Sequence, residues 1–230
     1  MSKIAHYLQE HLLGEVTTSP DARRHFAHDA SVLELVPTAI VYPRDENDVR
    51  KTIRFAWQLA ERGKILSVTA RGAGSDTTGG AISNGIIMVF PAHMNRILSL
   101  DPKKATVTVE PGLTYDKLQQ TLYTHGLFFP PYPASHAYAT LGGGLANNAT
   151  GEKSVKYGST GNYVDYLQVV LANGELIETG PLGKRELSRK MGLSSFEGEI
   201  YRSLDALLEE NHQIIEDRGS VRSRFNSAGY

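Results

Sequence analysis

The sequence predicts an α+β fold, and three observations point to it. Helical and strand periodicities alternate along the chain, two glycine-rich loops each follow a strand-containing unit, and 230 residues suffice for one large domain or two intertwined subdomains. Ile4, Leu8 and Leu12 share one helical face, and Gly14 can stop that helix. After a turn at Ser19 and Pro20, residues 39–42 read as a short apolar strand. Pro43 leads into a predicted helix over 45–61, with acidic residues in its first turn, Val49, Ile53, Ala56 and Ala60 as its apolar face, and Gly63 as its stop. Residues 65–69 are the next strand and deliver the chain to the first glycine loop, ARGAGSDTTGGA over 70–81. Strands follow over 85–90 and 106–110, then a helix capped by Thr114 and ended by Gly126. The second loop runs from Pro130 to Lys156. Residues 164–171 and 175–179 flank Asn173 and Gly174, a pair that favours a hairpin with a type I′ turn. Ser194 and Glu197 match a capping box, and Ile200, Leu204, Leu207, Leu208, Ile214 and Ile215 predict the buried stripe of a last helix ending near Gly219.

Composition narrows what this fold can do. Basic and acidic residues nearly balance, 24 against 25, for a net charge of -1, which disfavours nucleic-acid binding driven by bulk charge. The chain has no cysteine, so disulfides, thiolate metal sites, iron–sulfur clusters and cysteine nucleophiles are excluded, and a reducing compartment fits. The longest apolar runs, such as residues 86–90, fall far short of the roughly 18 residues a membrane helix needs. With no signal-peptide core at the N-terminus, a soluble cytoplasmic protein is expected.

The first loop has the composition of a phosphate nest. At Gly72, Gly74, Gly79 and Gly80 the missing Cβ permits positive φ and lets successive N–H groups converge on one anion, while Ser75, Asp76, Thr77 and Thr78 add polar side chains. The loop lacks a GKS or GKT ending and the GxGxxG spacing, which disfavours a P-loop and an ordinary dinucleotide fold. On glycine content alone, a plain flexible turn explains it equally well. The second loop shifts that balance. Thr140, Gly142, Gly143 and Gly144 again allow close backbone approach, and Asn147 and Asn148 offer amides suited to the edges of a flat heterocycle.

Together four segments carry a resemblance. AIVYPRDENDVRKTIRFA (39–56), RGAGSDTTGG (71–80), VTVEPGLTYDKLQQTL (107–122) and ATLGGGLANNATGEKSVKYGSTGNYVDYLQVVLANGE (139–175) resemble the FAD-binding domain of the vanillyl-alcohol oxidase and p-cresol methylhydroxylase (PCMH-type) superfamily. The match is to its D-lactate, glycolate and D-2-hydroxyglutarate dehydrogenase branch. The preceding HFAHDASVLELVP (25–37) looks like the entry segment of the large branch members that carry an iron–sulfur module.

The resemblance implies a PCMH-type domain of two α+β subdomains, incomplete at the C-terminus. Its organisation would be a helical entry segment (1–36), a first subdomain (37–126), a second with the C-terminal helix (127–218) and a polar tail (219–230). It implies that the backbone of Arg71, Gly72, Ala73, Gly74, Ser75 and Asp76 wraps the FAD pyrophosphate, with Thr77, Gly79 and Gly80 shaping the loop. Thr140, Gly142, Gly143, Asn147 and Asn148 would line the ribityl and ring portions. Where the family attaches flavin covalently it uses a histidine or cysteine in these loops; Ser75 and Asp76 stand here, so non-covalent FAD is expected.

The family's later flavin-contacting segment, its substrate-capping domain and the iron–sulfur cysteines are not in this sequence. The chain therefore reads as the N-terminal part of a longer flavoenzyme acting on a small hydroxy acid, or a stand-alone remnant, the missing parts lying on the same or a partner chain. An assembly module completed by a partner, and a relative of the cell-wall UDP-sugar reductase, are the alternatives. No catalytic residue and no metal site is expected. His136 reads as a loop histidine, and His25 with His28, three apart on a predicted helix, as surface residues. Phe55 and Trp57 read as packing residues, and Lys184, Arg185, Arg189 and Lys190 as a solvated basic face. Lys153, Lys156 and Tyr157 could equally face a cofactor or solvent.

Overall fold

A computed structural model describes residues 3–218; the polar tail expected over 219–230 lies outside them. The N-terminal helix α1 (Lys3–His11) buries Ala5 and Leu8, with Leu12 just beyond, and leads into strand β1 (Glu15–Thr17). Helix α2 (Pro20–His25) is capped by Ser19, whose hydroxyl accepts the Ala22 N–H, and carries proline in its first turn. Strand β2 (Ala39–Tyr42) is followed by helix α3 (Glu46–Glu61), capped by Asp45 and closed by Gly63 at a φ of 76°. Strands β3 (Val68–Arg71) and β4 (Ile86–Val89) complete a four-stranded sheet of order β1-β2-β4-β3.

Both inner strands are buried on both faces, as parallel strands between helices require. Ala39, Val41, Ile86 and Met88 pack beneath α1 and α3 on one face. Ile40, Ile87 and Val89 pack toward Ala22 and Phe26 on the other. Asp48, fully buried, joins three chain segments: its carboxylate accepts the N–H groups of Leu13 (2.9 Å), Gly14 (2.9 Å) and Arg44 (3.0 Å). The loop of interest connects β3 to β4 and so leaves the sheet at the C-terminal end of a parallel strand.

The sequence places β3 at 65–69, and the structure moves it to 68–71. Pairing sets the boundary: Val68 to Arg71 register with Ile86 to Val89, whereas Ile65 is 93% exposed. β1 is absent from the sequence reading because three residues carry no periodicity; its partner β2 defines it.

Beyond a 3-10 turn (Phe90–Ala92), strands β5 (Ile97–Asp101) and β6 (Thr106–Val109) form an antiparallel pair, of which β5 also escapes the sequence reading. Helix α4 (Tyr115–Tyr123), capped by Thr114, buries Tyr115, Leu118 and Leu122 in a second core with Leu113, Ala139 and Leu141. Gln119 pins the start of the second loop by a reciprocal pair with Phe129: its Oε1 accepts the Phe129 N–H at 2.8 Å and its Nε2 donates to the carbonyl at 2.6 Å. Two short helices follow, α5 (Leu141–Ala146) and α6 (Ser154–Tyr157), then a 3-10 turn (Thr160–Tyr163).

Strands β7 (Leu167–Val170) and β8 (Leu176–Thr179) make the expected hairpin, but its turn is not type I′. That turn needs positive φ at both central residues, and only Gly174 has it, at 81°. Instead Leu171 O accepts the Gly174 N–H while Leu171 N–H reaches Glu175 O, a three-residue loop whose last residue is left-handed. Asn173 spends its side chain on the Glu175 N–H, at 3.0 Å.

The basic cluster at 184–190 forms part of helix α7 (Lys184–Met191), where Lys190 pairs with Glu197. Helix α8 (Phe196–Glu210) is capped by Ser195 rather than Ser194, and α9 (His212–Arg218) follows after a break at Asn211. The expected buried stripe is a clear correction: Leu204, Leu207, Leu208, Ile214 and Ile215 are all exposed, Leu207 by 55%. Their helical spacing is real, but among the described residues nothing covers that face. Gly219, the expected helix end, lies outside the described residues.

Candidate cofactor site between two glycine loops

The two glycine loops meet. Tyr115 N–H donates to Ala139 O, Leu141 N–H to Leu113 O and Gly142 N–H to Pro111 O, which lays the second loop along residues 111–115 and directs Thr140 at Gly72. A Cβ on Gly72 would lie 3.1 Å from Thr140 Cγ2 and overlap its hydroxyl, so only glycine allows this approach. Between the loops lies a cleft of about 410 Å³, whose walls include Gly72, Ala73, Gly74, Ser75, Asp76 and Gly80 from the first loop. Thr140, Gly143 and Asn147 line it from the second.

The first loop borders this cleft with residues whose N–H groups are unpaired. Ala30 N–H donates to the carbonyls of both Gly74 and Asp76, at 3.0 Å each. In a trans peptide the C=O of one residue and the N–H of the next point in opposite directions, so Ser75 and Thr77 turn their N–H groups away from Ala30. Gly74 sits at a φ of 74°, the left-handed conformation that folds successive N–H groups toward one point. Among the described residues, none accepts a hydrogen bond from the N–H groups of Gly72, Ala73, Gly74, Ser75 or Asp76. Five consecutive unpaired donors around a concave site make an anion cradle.

Arg71 lies beneath that cradle. It is 6% exposed, its guanidinium sits 5.2 Å from the Phe26 ring, and Nη1 donates to Ala81 O at 3.2 Å. Its Nε has no partner, and a Cβ on Gly74 would lie 2.7 Å from its Cζ. Burial pulls its pKa down, against the opposing pull of Asp29. Asp76 bends back into its own loop, where its Oδ2 accepts from the Thr78 hydroxyl (2.6 Å), Thr78 N–H (3.1 Å) and Gly80 N–H (2.8 Å). Partial burial pushes the Asp76 carboxyl up, but these donors outweigh it and hold the group below the usual carboxylate range.

Five of the expected site residues stand off the cleft wall. Arg71, Thr77 and Gly79 belong to the first loop but do not line the cleft, and Gly79 lies against Leu33. Gly142 packs on Pro111, and Asn148 commits its Oδ1 to the Gly161 N–H at 2.9 Å. Pro133, Ser135, Ala139 and Ala149 line the cleft without having been singled out as ligand contacts, and so does Gly144, which was read only as allowing close backbone approach. Gly144 carried a signal in the triple glycine: a Cβ there would overlap the buried Tyr115 ring. The small alanines carried none, because they contribute shape rather than a donor.

The other candidates are accounted for by packing and surface contacts. His136 faces Asp116 at 3.3 Å, and Trp57 packs 5.8 Å from Phe196. His25 ends α2, while His28 lies beyond it beside Glu34, so the expected shared helix does not exist. Lys153 sits over Phe128 and Tyr132, at 5.5 and 5.2 Å.

Comparison with known proteins agrees with this geometry. A family described as FAD binding domain matches residues 37–180. D-2-hydroxyglutarate dehydrogenase of Escherichia coli (strain K12) is 36% identical over 218 residues, 94% of this chain but 21% of the relative. Glycolate oxidase subunit GlcD of Bacillus subtilis (strain 168) is 33% identical over 67% of this chain and 32% of the relative. The chain thus spans about a fifth to a third of the length of these relatives. Among solved structures, alkyldihydroxyacetonephosphate synthase superposes with a TM-score of 0.67 over 81% of this chain and 36% of that one, at 20% identity, a likeness of fold.

FAD fits what the chain offers. Its diphosphate needs several converging N–H donors and a backbone without Cβ, and the first loop supplies both beside a buried cation. The chain belongs to the FAD binding domain family, and its cofactor is FAD.

Proposed function

We propose that this chain is the FAD-binding part of an oxidoreductase that oxidises a D-2-hydroxy acid such as lactate, glycolate or 2-hydroxyglutarate. The observation that carries the proposal is the row of five unpaired N–H groups, 72 to 76, on residues that line a cleft shared with the second glycine loop. Those N–H groups would hold the diphosphate, with Thr77, Gly79, Gly80 and Arg71 maintaining the loop. Thr140, Gly143 and Asn147 would border the ribityl and ring portions, and Gly142 and Asn148 would fix the backbone that presents them. FAD, when bound, supplies the acceptor for the hydride of the hydroxy acid's α-carbon.

Asp76 is the one ionisable residue among the described cleft-lining residues, and its Oδ2 is engaged by three donors. A base for the substrate hydroxyl is therefore assigned to polypeptide beyond this chain. The exposed stripe of α8 and α9 supports that reading, since further polypeptide on the same or a partner chain would cover it. Among the described residues no helix is long and apolar enough to cross a membrane. We propose a cytoplasmic setting, with which a chain free of cysteine is compatible. Among the described residues that line the cleft there is no histidine or cysteine, and we propose non-covalent attachment.

The test is anaerobic mixing of the full-length flavoprotein with D-lactate, glycolate and D-2-hydroxyglutarate. Bleaching of the flavin absorbance by one of these acids, with FAD released intact on denaturation, is the expected outcome. A flavin that none of them reduces would overturn the substrate assignment.

A further inference from the structure

Asp76 is unexpected in a loop that serves an anion. A carboxylate lining a diphosphate cradle repels its ligand, unless it does something for the loop that outweighs the repulsion. Its contacts show what that is. One oxygen, Oδ2, takes three donors of the loop's second half: the Thr78 hydroxyl, the Thr78 N–H and the Gly80 N–H. The first half, from Gly72 to Asp76, is left with every N–H free. The side chain thus splits a nine-residue turn into a half braced on one carboxylate oxygen and an open cradle. The brace is anchored at its far end, where Ala81 N–H reaches Asp29 Oδ2 at 3.4 Å, and at its near end, where Ala30 N–H takes the carbonyls of Gly74 and Asp76.

We propose that Asp76 is a positioning residue: its Oδ2 holds the second half of the first glycine loop folded before any flavin arrives and confines the diphosphate to the N–H groups of residues 72–76. This rests on the assignment of the loop to FAD. What the loop needs from Asp76 is an acceptor oxygen; the charge itself works against the ligand. Asparagine offers the same oxygen without the charge, and alanine offers neither.

The experiment compares wild type, Asp76→Asn and Asp76→Ala by amide hydrogen exchange of the flavin-free protein and by FAD titration. In Asp76→Ala, exchange at Thr78 and Gly80 should accelerate and FAD affinity should fall about tenfold or more. In Asp76→Asn both amides should keep their protection, and affinity should equal or exceed that of wild type. Unchanged exchange and affinity in Asp76→Ala would overturn the proposal, as would Asp76→Asn falling as far as Asp76→Ala. If Asp76→Ala does not fold, Thr78→Val removes only the hydroxyl donor to the same oxygen and should weaken FAD about threefold; no change there would also overturn it. Should wild type itself take up no FAD, the cofactor assignment fails, whereas the exchange comparison still decides whether Asp76 holds the loop.

Discussion

The contact between Gly72 and Thr140 is where the two-loop account is most exposed. Gly72 has no positive φ, so replacing it by alanine strains nothing in the backbone and acts through contact alone. The added Cβ would overlap the Thr140 hydroxyl and lie 3.1 Å from Cγ2 and 3.2 Å from Cβ of the same residue. Overpacking of this kind costs roughly 1–3 kcal/mol. The overlap can be relieved by moving the loops apart, so the cost should appear partly as lost stability and partly as weaker FAD binding, at about tenfold per 1.4 kcal/mol. Thr140→Ala alone removes the cap that accepts the Gly143 N–H at 3.3 Å, at a cost of about 1 kcal/mol. In the double variant the methyl on residue 72 no longer meets the hydroxyl or Cγ2 at position 140, and of the three contacts that with the β-carbon remains. The two losses should therefore fall short of additivity by about 1 kcal/mol. Urea unfolding and FAD titration of the four proteins measure both parts. Strict additivity in both assays would show that the loops do not touch as described.

Three further outcomes are expected. Leu118→Ala, at a site 2% exposed, should cost about 2–5 kcal/mol in urea unfolding, whereas Leu207→Ala on the exposed stripe should stay within about 0.5 kcal/mol. A large loss at Leu207 would mean that the stripe is covered. Hydrogen bonds from Arg44 and then His93 hold the Glu15 carboxyl down from 4.5 to about 2. A lowered folded pKa adds stability that is complete above about 4.5 and fades as pH falls toward 2, by an amount solvent screening keeps small. Glu15→Gln should flatten the stability–pH curve of wild type in that window, and an unchanged slope would remove the pair from the account. Gly144→Ala should destabilise by roughly 1–3 kcal/mol through overlap with the buried Tyr115, a loss that Tyr115→Phe should partly restore; a neutral Gly144→Ala would contradict the packing described for α5.

Much of this architecture is written locally. The helices at 46–61 and 115–123 announce themselves by caps, apolar spacing and a closing glycine, because all three signals lie within the element itself. β1 and the true limits of β3 do not, since a strand of three or four residues is defined by what it pairs with. The stripe of α8 shows the reverse failure: periodicity says which face is apolar and nothing about whether anything covers it. At the site, the glycines of both loops were legible because missing side chains are a backbone statement. The bond of Asn148 was not, for its Oδ1 accepts from the Gly161 N–H, thirteen residues away in sequence. Nor was that of Asp76, whose three bonds depend on the turn it helps to form.

The central claim, that the first loop cradles the diphosphate of FAD, is met most directly by titrating FAD into this chain and into its Gly74→Val variant in parallel, following flavin fluorescence. Valine at a φ of 74° forces the backbone out of the left-handed region and drives its Cβ into Arg71. Saturable binding of one FAD per chain, lost in the variant while circular dichroism shows the fold retained, is the predicted result. Equal affinity of the two proteins for FAD would contradict it.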